Sequence, residues 1–317
     1  MVIVFLLYFI TLVWLLNYKK ISNGEEKKYS KINEDLTIII KNINDLDGLL
    51  ITLECIQKQD YNLDKVDIIL LNQSTHDIEP LLDIFNNIFH SIKIINIPNC
   101  ERLEYLKDIN IDRECNNQVL LINNRSIISE SYFKSLFNYI MDNEDSMLLL
   151  PSLINSSNKF QIFNQIYFCF IEAIKSSLWN KHLITRPNLF NGNFLLNKGL
   201  LKKYLEGYEV NKYFILAQKL CIYTTSNEYT SYDRVHYAIE RIHLTINLLF
   251  IMIMIQFITD PSIYLLSMMI IKSFPELCFI YIYYNQLDIK FPKVEVLIYS
   301  IINPFYSLIK LLRYSKR

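Results

Sequence analysis

The sequence predicts an α/β protein: a mixed, mainly parallel sheet flanked by helices, with one N-terminal and two or three C-terminal membrane helices. Three observations carry this. Short apolar runs alternate with stretches that are apolar at helical spacing, joined by short polar links, which is the pattern of a parallel, doubly wound sheet. The runs show no polar alternation, as expected of strands covered on both faces. Both ends of the chain hold apolar stretches of roughly membrane length.

Met1 to Leu16 is apolar apart from Thr11, with Tyr8, Trp14 and Tyr18 at interface-like positions. It is slightly short of the ~20 residues that span a bilayer core. No basic residue precedes it and no small-residue cleavage site follows, so a removable signal peptide is not expected. Lys19, Lys20, Lys27 and Lys28 follow at once, and the positive-inside rule then puts the next domain in the cytoplasm. The alternative is a buried N-terminal helix. The divisions expected are an anchor at residues 1–17, a charged tether at 18–35 and an α/β domain at 36–241. Membrane helices at 242–312 and a basic tail at 313–317 complete the chain.

Leu36 to Ile40 reads as the first strand, followed by a polar turn from Lys41 to Asp47 and a helix from Leu49 to Gln57. Val66 to Leu71 is the second strand and ends in a polar knuckle, Asn72-Gln73-Ser74-Thr75. Ile78 to Phe89 reads as a helix and Ile92 to Ile97 as a third strand, stopped by Pro98. Val119 to Ile122 continues the sheet and runs into a second knuckle, Asn123-Asn124-Arg125. A helix opening at Ser129 follows it, with the Ser129 hydroxyl as N-cap. In open α/β sheets ligands gather at the carboxyl ends of strands, so these knuckles are where chemistry is expected. Met147 to Leu150 adds a further strand. Phe160 to Leu178 is a helix that lies either on the membrane or in a core. Asn191-Gly192-Asn193 forms a turn, and a helix runs from Lys198 to Glu206-Gly207.

Ile242 to Ile258 and Ile263 to Tyr284 are each long enough to span, with Asp260-Pro261 as the turn. The second carries Lys272 and Glu276 at i,i+4 spacing, where pairing would lower the cost of burying two charges. Val294 to Leu312 is apolar and expected to break at Pro304. A third full span would place Arg313, Lys316 and Arg317 outside, against the positive-inside rule. That stretch is therefore re-entrant or interfacial, or the rule fails here.

Composition narrows the classes. Lys+Arg 32 balances Asp+Glu 32, so the total charge gives no reason to expect nucleic acid. Five glycines leave little for Gly-rich phosphate loops. The six cysteines show no C-x-x-C pair and no Cys/His ligand spacing, and read as reduced thiols.

With this order in view, the sequence resembles the membrane-bound family 2 glycosyltransferases, nucleotide-sugar enzymes of the GT-A fold. Leu36 to Asp45 looks like their first strand and turn, Asn44-Asp45 standing for Asn-Glu. Gln59-Asp60-Tyr61 sits where the family commonly has Gln-Asp-Tyr. Asn72-Gln73 takes the place of the Asp-Asp that contacts uracil and ribose, and Asn123-Asn124-Arg125 that of the metal-binding Asp-x-Asp. Asn191, Gly192 and Asn193 resemble the acceptor-side turn. Asn211 and Lys212 fall on the acidic pair that supplies the base. Asp233, Arg234, His236 and Tyr237 fall on the Gln-x-x-Arg-Trp element.

The resemblance implies a nucleotide-sugar donor, a lipid or glycan acceptor, residence in the inner membrane with a cytoplasmic domain, and Mg²⁺ or Mn²⁺. No cofactor follows from the residues themselves. Hard divalent cations want anionic oxygen ligands, and here two amides and a guanidinium stand instead. Arg125 is a candidate to neutralise a diphosphate through its fork in the metal's place. Neither Asn211 nor Lys212 is a proton acceptor at neutral pH without a large shift. The competing expectation is a catalytically inactive scaffold that binds other membrane proteins.

Overall fold

The structure is a computed structural model and describes residues 2–16, 35–43, 45–74, 77–97, 111–137, 146–154, 159–180, 183, 189, 192–208, 212–215, 222–224, 234–287 and 289–314. The chain divides into two compact units. One is built on a sheet (residues 21–155 and 185–231), the other on helices (residues 1–20, 156–184 and 232–317).

In the helical unit the chain opens with α1 (Val2–Leu16). The sheet unit begins at β1 (Leu36–Ile43), which α2 (Leu46–Gln57) follows. Next come β2 (Val66–Asn72), the four-residue α3 (Glu79–Leu82), β3 (Ser91–Asn96), α4 (Ile111–Glu114) and β4 (Gln118–Asn123). Beyond β4 lie β5 (Ser126–Ile127), α5 (Tyr132–Phe137), β6 (Ser146–Leu150) and β7 (Ser152–Ile154). The helix α6 (Lys159–Asn180) belongs to the helical unit. The sheet unit resumes with β8 (Asn193–Asn197), α7 (Lys198–Glu206), β9 (Lys212–Ile215) and β10 (Ile222–Thr224).

Seven strands form one sheet in the order β3-β2-β1-β4-β8-β6-β9. Every neighbouring pair is parallel except those made by β8, which runs antiparallel to both β4 and β6. The mixed, mainly parallel sheet flanked by helices is the fold class the sequence predicts. A small second sheet, β5-β10-β7, stands beside it.

β1 lies inside the sheet, between β2 and β4, because it can be buried on both faces. Leu36, Ile38, Ile39, Ile40 and Ile43 are all enclosed, as are Val119 to Ile122 opposite. Each such side chain contributes about 1.5–3 kcal/mol relative to an exposed one. α2 covers this core with Leu49, Leu53 and Ile56, one stripe at i, i+4, i+7. Gly207 ends α7 in the left-handed region at φ 102°, the conformation that glycine adopts without a Cβ penalty.

Four expectations in the sheet unit are corrected. Lys41 does not open a polar turn: it extends β1 and is wholly buried. The helix expected over Ile78 to Phe89 is regular only at α3, with Pro80 in its first turn, and gives way to turns from Asp83. α5 begins at Tyr132, whose N–H donates to the Ser129 carbonyl (2.9 Å), so Ser129 lies one residue-triplet ahead of the helix. Asn193 is not a turn residue but the first residue of β8.

The helical unit holds α1 and α6 together with α8 (Arg234–Thr259), α9 (Ile263–Gln286) and α10 (Lys293–Tyr314). Among the described residues, Tyr237–Thr259 and Ile263–Asn285 are long and apolar enough to cross a membrane. At about 1.5 Å per residue, the 15 residues of α1 reach about 22 Å, short of a ~30 Å hydrocarbon core. Pro304 does not break the last helix, which runs unbroken from Lys293 to Tyr314. A proline inside a helix is tolerated where neighbouring helices enclose the freed carbonyl.

A polar seam runs through this apolar bundle. Asn247 Nδ2 donates to Ser307 Oγ (2.8 Å), Ser307 Oγ to Asn303 Oδ1 (3.4 Å), and Asn303 Nδ2 meets His243 Nε2 (2.8 Å). His243 Nδ1 lies 3.4 Å from the Tyr8 hydroxyl, which donates to Glu276 Oε1 (2.7 Å). Lys272 Nζ donates to Glu276 Oε2 (2.8 Å) and lies over the Phe250 ring. The expected i,i+4 pairing of Lys272 and Glu276 is present, and both residues are buried.

Candidate functional site

Three of the parallel strands, β1, β2 and β4, deliver their carboxyl ends to one edge of the sheet, and the knuckles predicted there come together. The Gln73 N–H donates to the Ile43 carbonyl (3.2 Å), and the Asn124 N–H to the Lys41 carbonyl (2.8 Å). Both knuckles are thereby tied to β1. Asp45, Asn72, Gln73, Asn123, Asn124 and Arg125 therefore share this strand end.

Asp45 caps α2. Its Oδ1 accepts from the Gly48 N–H at 2.6 Å, which satisfies one of the orphan donors of the first turn. The same carboxylate takes the fork of Arg125: Nε donates to Oδ2 (3.1 Å), and Nη2 lies 3.1 Å from Oδ1. The pair is about a third exposed on each side. Arg125 holds φ at 61°, the left-handed region that is uncommon for a side chain of this size. Gly48 permits the approach, since a Cβ there would meet Arg125 Cγ at 2.4 Å. Asn124 is buried at 8 % exposure; its Nδ2 donates to the Asp45 carbonyl (3.3 Å), and its Oδ1 has no hydrogen-bond partner among the described residues.

The amides at the knuckles are spent largely on structure. Asn72 Nδ2 donates to Asn96 Oδ1 (2.8 Å) and Asn72 Oδ1 accepts from the Ser74 N–H (3.0 Å). The Asn123 N–H donates to Asn193 Oδ1 (2.9 Å), and Asn193 Nδ2 donates to Ser152 Oγ (2.6 Å). Asn193 thus stitches β8 to β4 and β7. Gln59 clips two segments: its Nε2 donates to the Ser129 carbonyl (2.7 Å), while its Oε1 accepts from the Phe133 N–H (3.1 Å). Tyr61 stacks on Phe137, with ring centroids 5.1 Å apart.

Lys41 is the residue that sequence reasoning missed. Its ammonium donates to the Leu189 carbonyl (2.5 Å) and to the Gly192 carbonyl, beneath the turn that enters β8. Full burial pushes it well below the ordinary lysine value. The signal was the register of the apolar run: Lys41 continues Leu36 to Ile40 by one residue and pairs with Asn123 across the sheet.

The remaining expected residues are placed by element alone. Lys212 opens β9, and Arg234, His236 and Tyr237 lie in the first turn of α8 in the helical unit. Tyr237 is exposed and carries Arg241 over its ring at 4.7 Å. Asn44, Asn191, Asn211 and Asp233 lie outside the described residues.

A divalent cation does not fit the donor set at this strand end. Among the described residues no group of three His, Cys, Asp or Glu side chains is placed to hold a metal. The carboxylate at the knuckle, Asp45, already serves a backbone N–H and a guanidinium, and Arg125 would repel the ion.

No protein-family model and no curated protein matches the chain. Among solved structures, the mannosyltransferase PcManGT from Pyrobaculum calidifontis, in complex with GDP-Man and Mn²⁺, is 12% identical. That match covers 98% of this chain and 90% of the other, at a TM-score of 0.42. S. aureus TarS 1-349, in complex with UDP-GlcNAc, is 13% identical over 86% of this chain and 81% of its own, at 0.43. Glucosyl-3-phosphoglycerate synthase from Mycobacterium tuberculosis is 9% identical over 65% and 79%, at 0.38. At these scores the likeness carries no argument, and the fold class rests on the strand order and directions given above.

Proposed function

We propose that this chain is a membrane-associated, glycosyltransferase family 2-like protein with a GT-A-like domain facing the cytoplasm of the inner membrane. Its strand-end site receives a nucleotide sugar without a divalent metal. The observation that carries this reading is the meeting of Asp45, Asn72, Gln73, Asn123 and Arg125 at the carboxyl ends of β1, β2 and β4. Open α/β sheets bind their ligands at that edge. The two apolar helices of the C-terminal third support the membrane assignment.

Transfer to a lipid or glycan acceptor asks for more than binding. It needs positive charge on the leaving diphosphate and a base for the acceptor hydroxyl. At this strand end the Arg125 charge is already cancelled by Asp45, and that pairing favours a second reading. In it the domain keeps the architecture of a sugar transferase and serves as an inactive scaffold for other membrane proteins.

Isothermal titration of the full chain in detergent with UDP- and GDP-sugars, with and without Mn²⁺, separates these. Weak binding near about 1 mM that Mn²⁺ leaves unchanged is the expected result. Binding that requires Mn²⁺, or a Mn²⁺-dependent transfer, would refute the metal-free site. No heat at about 1 mM ligand would favour the scaffold.

A further inference from the structure

The carboxylate of Asp45 rests in a cradle shaped for an anion. On one side is the Gly48 N–H in the first turn of α2, which Asp45 accepts; on the other is the planar fork of Arg125. Helix N-termini and arginine forks both hold phosphate oxygens in proteins. Here a side chain of the chain itself fills the place. The third wall is Asn124, more than nine-tenths buried, whose amide donates to the Asp45 carbonyl and whose Oδ1 has no partner among the described residues. A buried acceptor left unpaired is costly unless something donates to it.

From this we infer that Asp45 is a self-ligand: it occupies a diphosphate cradle formed by Arg125 and the N-terminus of α2, and yields it to an incoming diphosphate. The inference rests on the strand-end site proposed above and adds what competes for it. A diphosphate oxygen takes over the Arg125 fork and the Gly48 N–H that Asp45 now holds. Displacement is feasible because the pair is not sealed, with about a third of each side chain open to solvent. The cradle also explains why glycine stands at 48, where a Cβ would push Arg125 out of it. No bond is made or broken; one anion replaces another on the same donors.

The substitution that isolates the idea is Asp45→Ser. Serine is as good an N-cap as aspartate, so α2 keeps its cap while the competing charge is removed. Binding of inorganic pyrophosphate and of UDP to the full chain is measured by titration calorimetry without metal. Asp45→Ser is expected to bind pyrophosphate about tenfold or more tighter than the native chain, and adding Arg125→Ala should abolish the gain. An unchanged affinity in a variant that melts like the native chain overturns the inference. So does a gain that survives Arg125→Ala. UDP distinguishes this from the broader reading. If pyrophosphate gains but UDP binds no better than pyrophosphate, the cradle stands and the nucleotide assignment falls. If UDP binds natively but Asp45→Ser changes nothing, the reverse holds.

Discussion

Replacing Lys272 by methionine tests whether the seam in the helical unit is a true buried network. The ammonium lies 2.8 Å from Glu276 Oε2 with both side chains enclosed. At an effective dielectric of about 20, that separation corresponds to an attraction of about 6 kcal/mol. Desolvating two ions offsets most of it, so the intact pair adds little net stability. Removing one partner is different. Glu276 would keep only the Tyr8 hydroxyl and the more distant His243, 3.7 Å away. An orphaned buried charge of this kind costs about 3–5 kcal/mol, which lowers the melting midpoint by roughly 10 °C in a unit of this size. The assay is the soluble fraction of detergent-purified chain after stepwise heating. The double variant Lys272→Met with Glu276→Gln removes the charge and keeps an acceptor for Tyr8, and is expected to recover most of the loss. A Lys272→Met chain that melts within about 1 °C of the native one would refute the reasoning.

Two further outcomes follow from the sheet unit. Gly48→Ala should cost about 1–3 kcal/mol in chemical denaturation, because its Cβ would meet Arg125 Cγ at 2.4 Å and Asn124 Nδ2 at 2.8 Å; no loss would mean that Arg125 does not pack there. Lys41 carries a pH signature. Its folded value is lowered by burial, so the unfolded chain binds more protons there between that value and the ordinary ~10.4. Stability therefore rises with pH across this window, by up to about 1.4 kcal/mol per unit, and is lost as pH falls toward the folded value. Lys41→Met should abolish the slope, and parallel pH profiles for the two chains would show that the ammonium is not enclosed.

Where each side chain has one dominant reason for its place, the sequence was readable. Leu36 to Ile40, Val66 to Leu71 and Val119 to Ile122 are apolar apart from Thr37 and Asp67, and such runs suit interior strands of a covered sheet. β8 was missed because Phe194 to Leu196 is a run of three between asparagines, and what makes it a strand is β4 and β6 on either side. The strands of the small sheet, β5, β7 and β10, are two or three residues long, below any periodicity. At the site, the position of the knuckles was legible from strand ends, but not what their side chains do. The pairing of Asp45 with Arg125 joins residues 80 apart in sequence. The partners of Asn72, Asn96 and Ser74, likewise depend on which strands lie side by side. Lys41 misled for a physical reason. A lysine after an apolar run ordinarily marks the strand's exit to water, and here two main-chain carbonyls take the place of the solvent.

The bond between Tyr8 and Glu276 spans 268 positions of the chain. A ribosome adding about 5–20 residues each second takes roughly fifteen to fifty seconds to travel that far. For that interval the Tyr8 phenol lacks its carboxylate acceptor. This contact of the bundle thus waits for α9 to reach back to α1, and a chain stalled before α9 is complete would leave Tyr8 without its carboxylate.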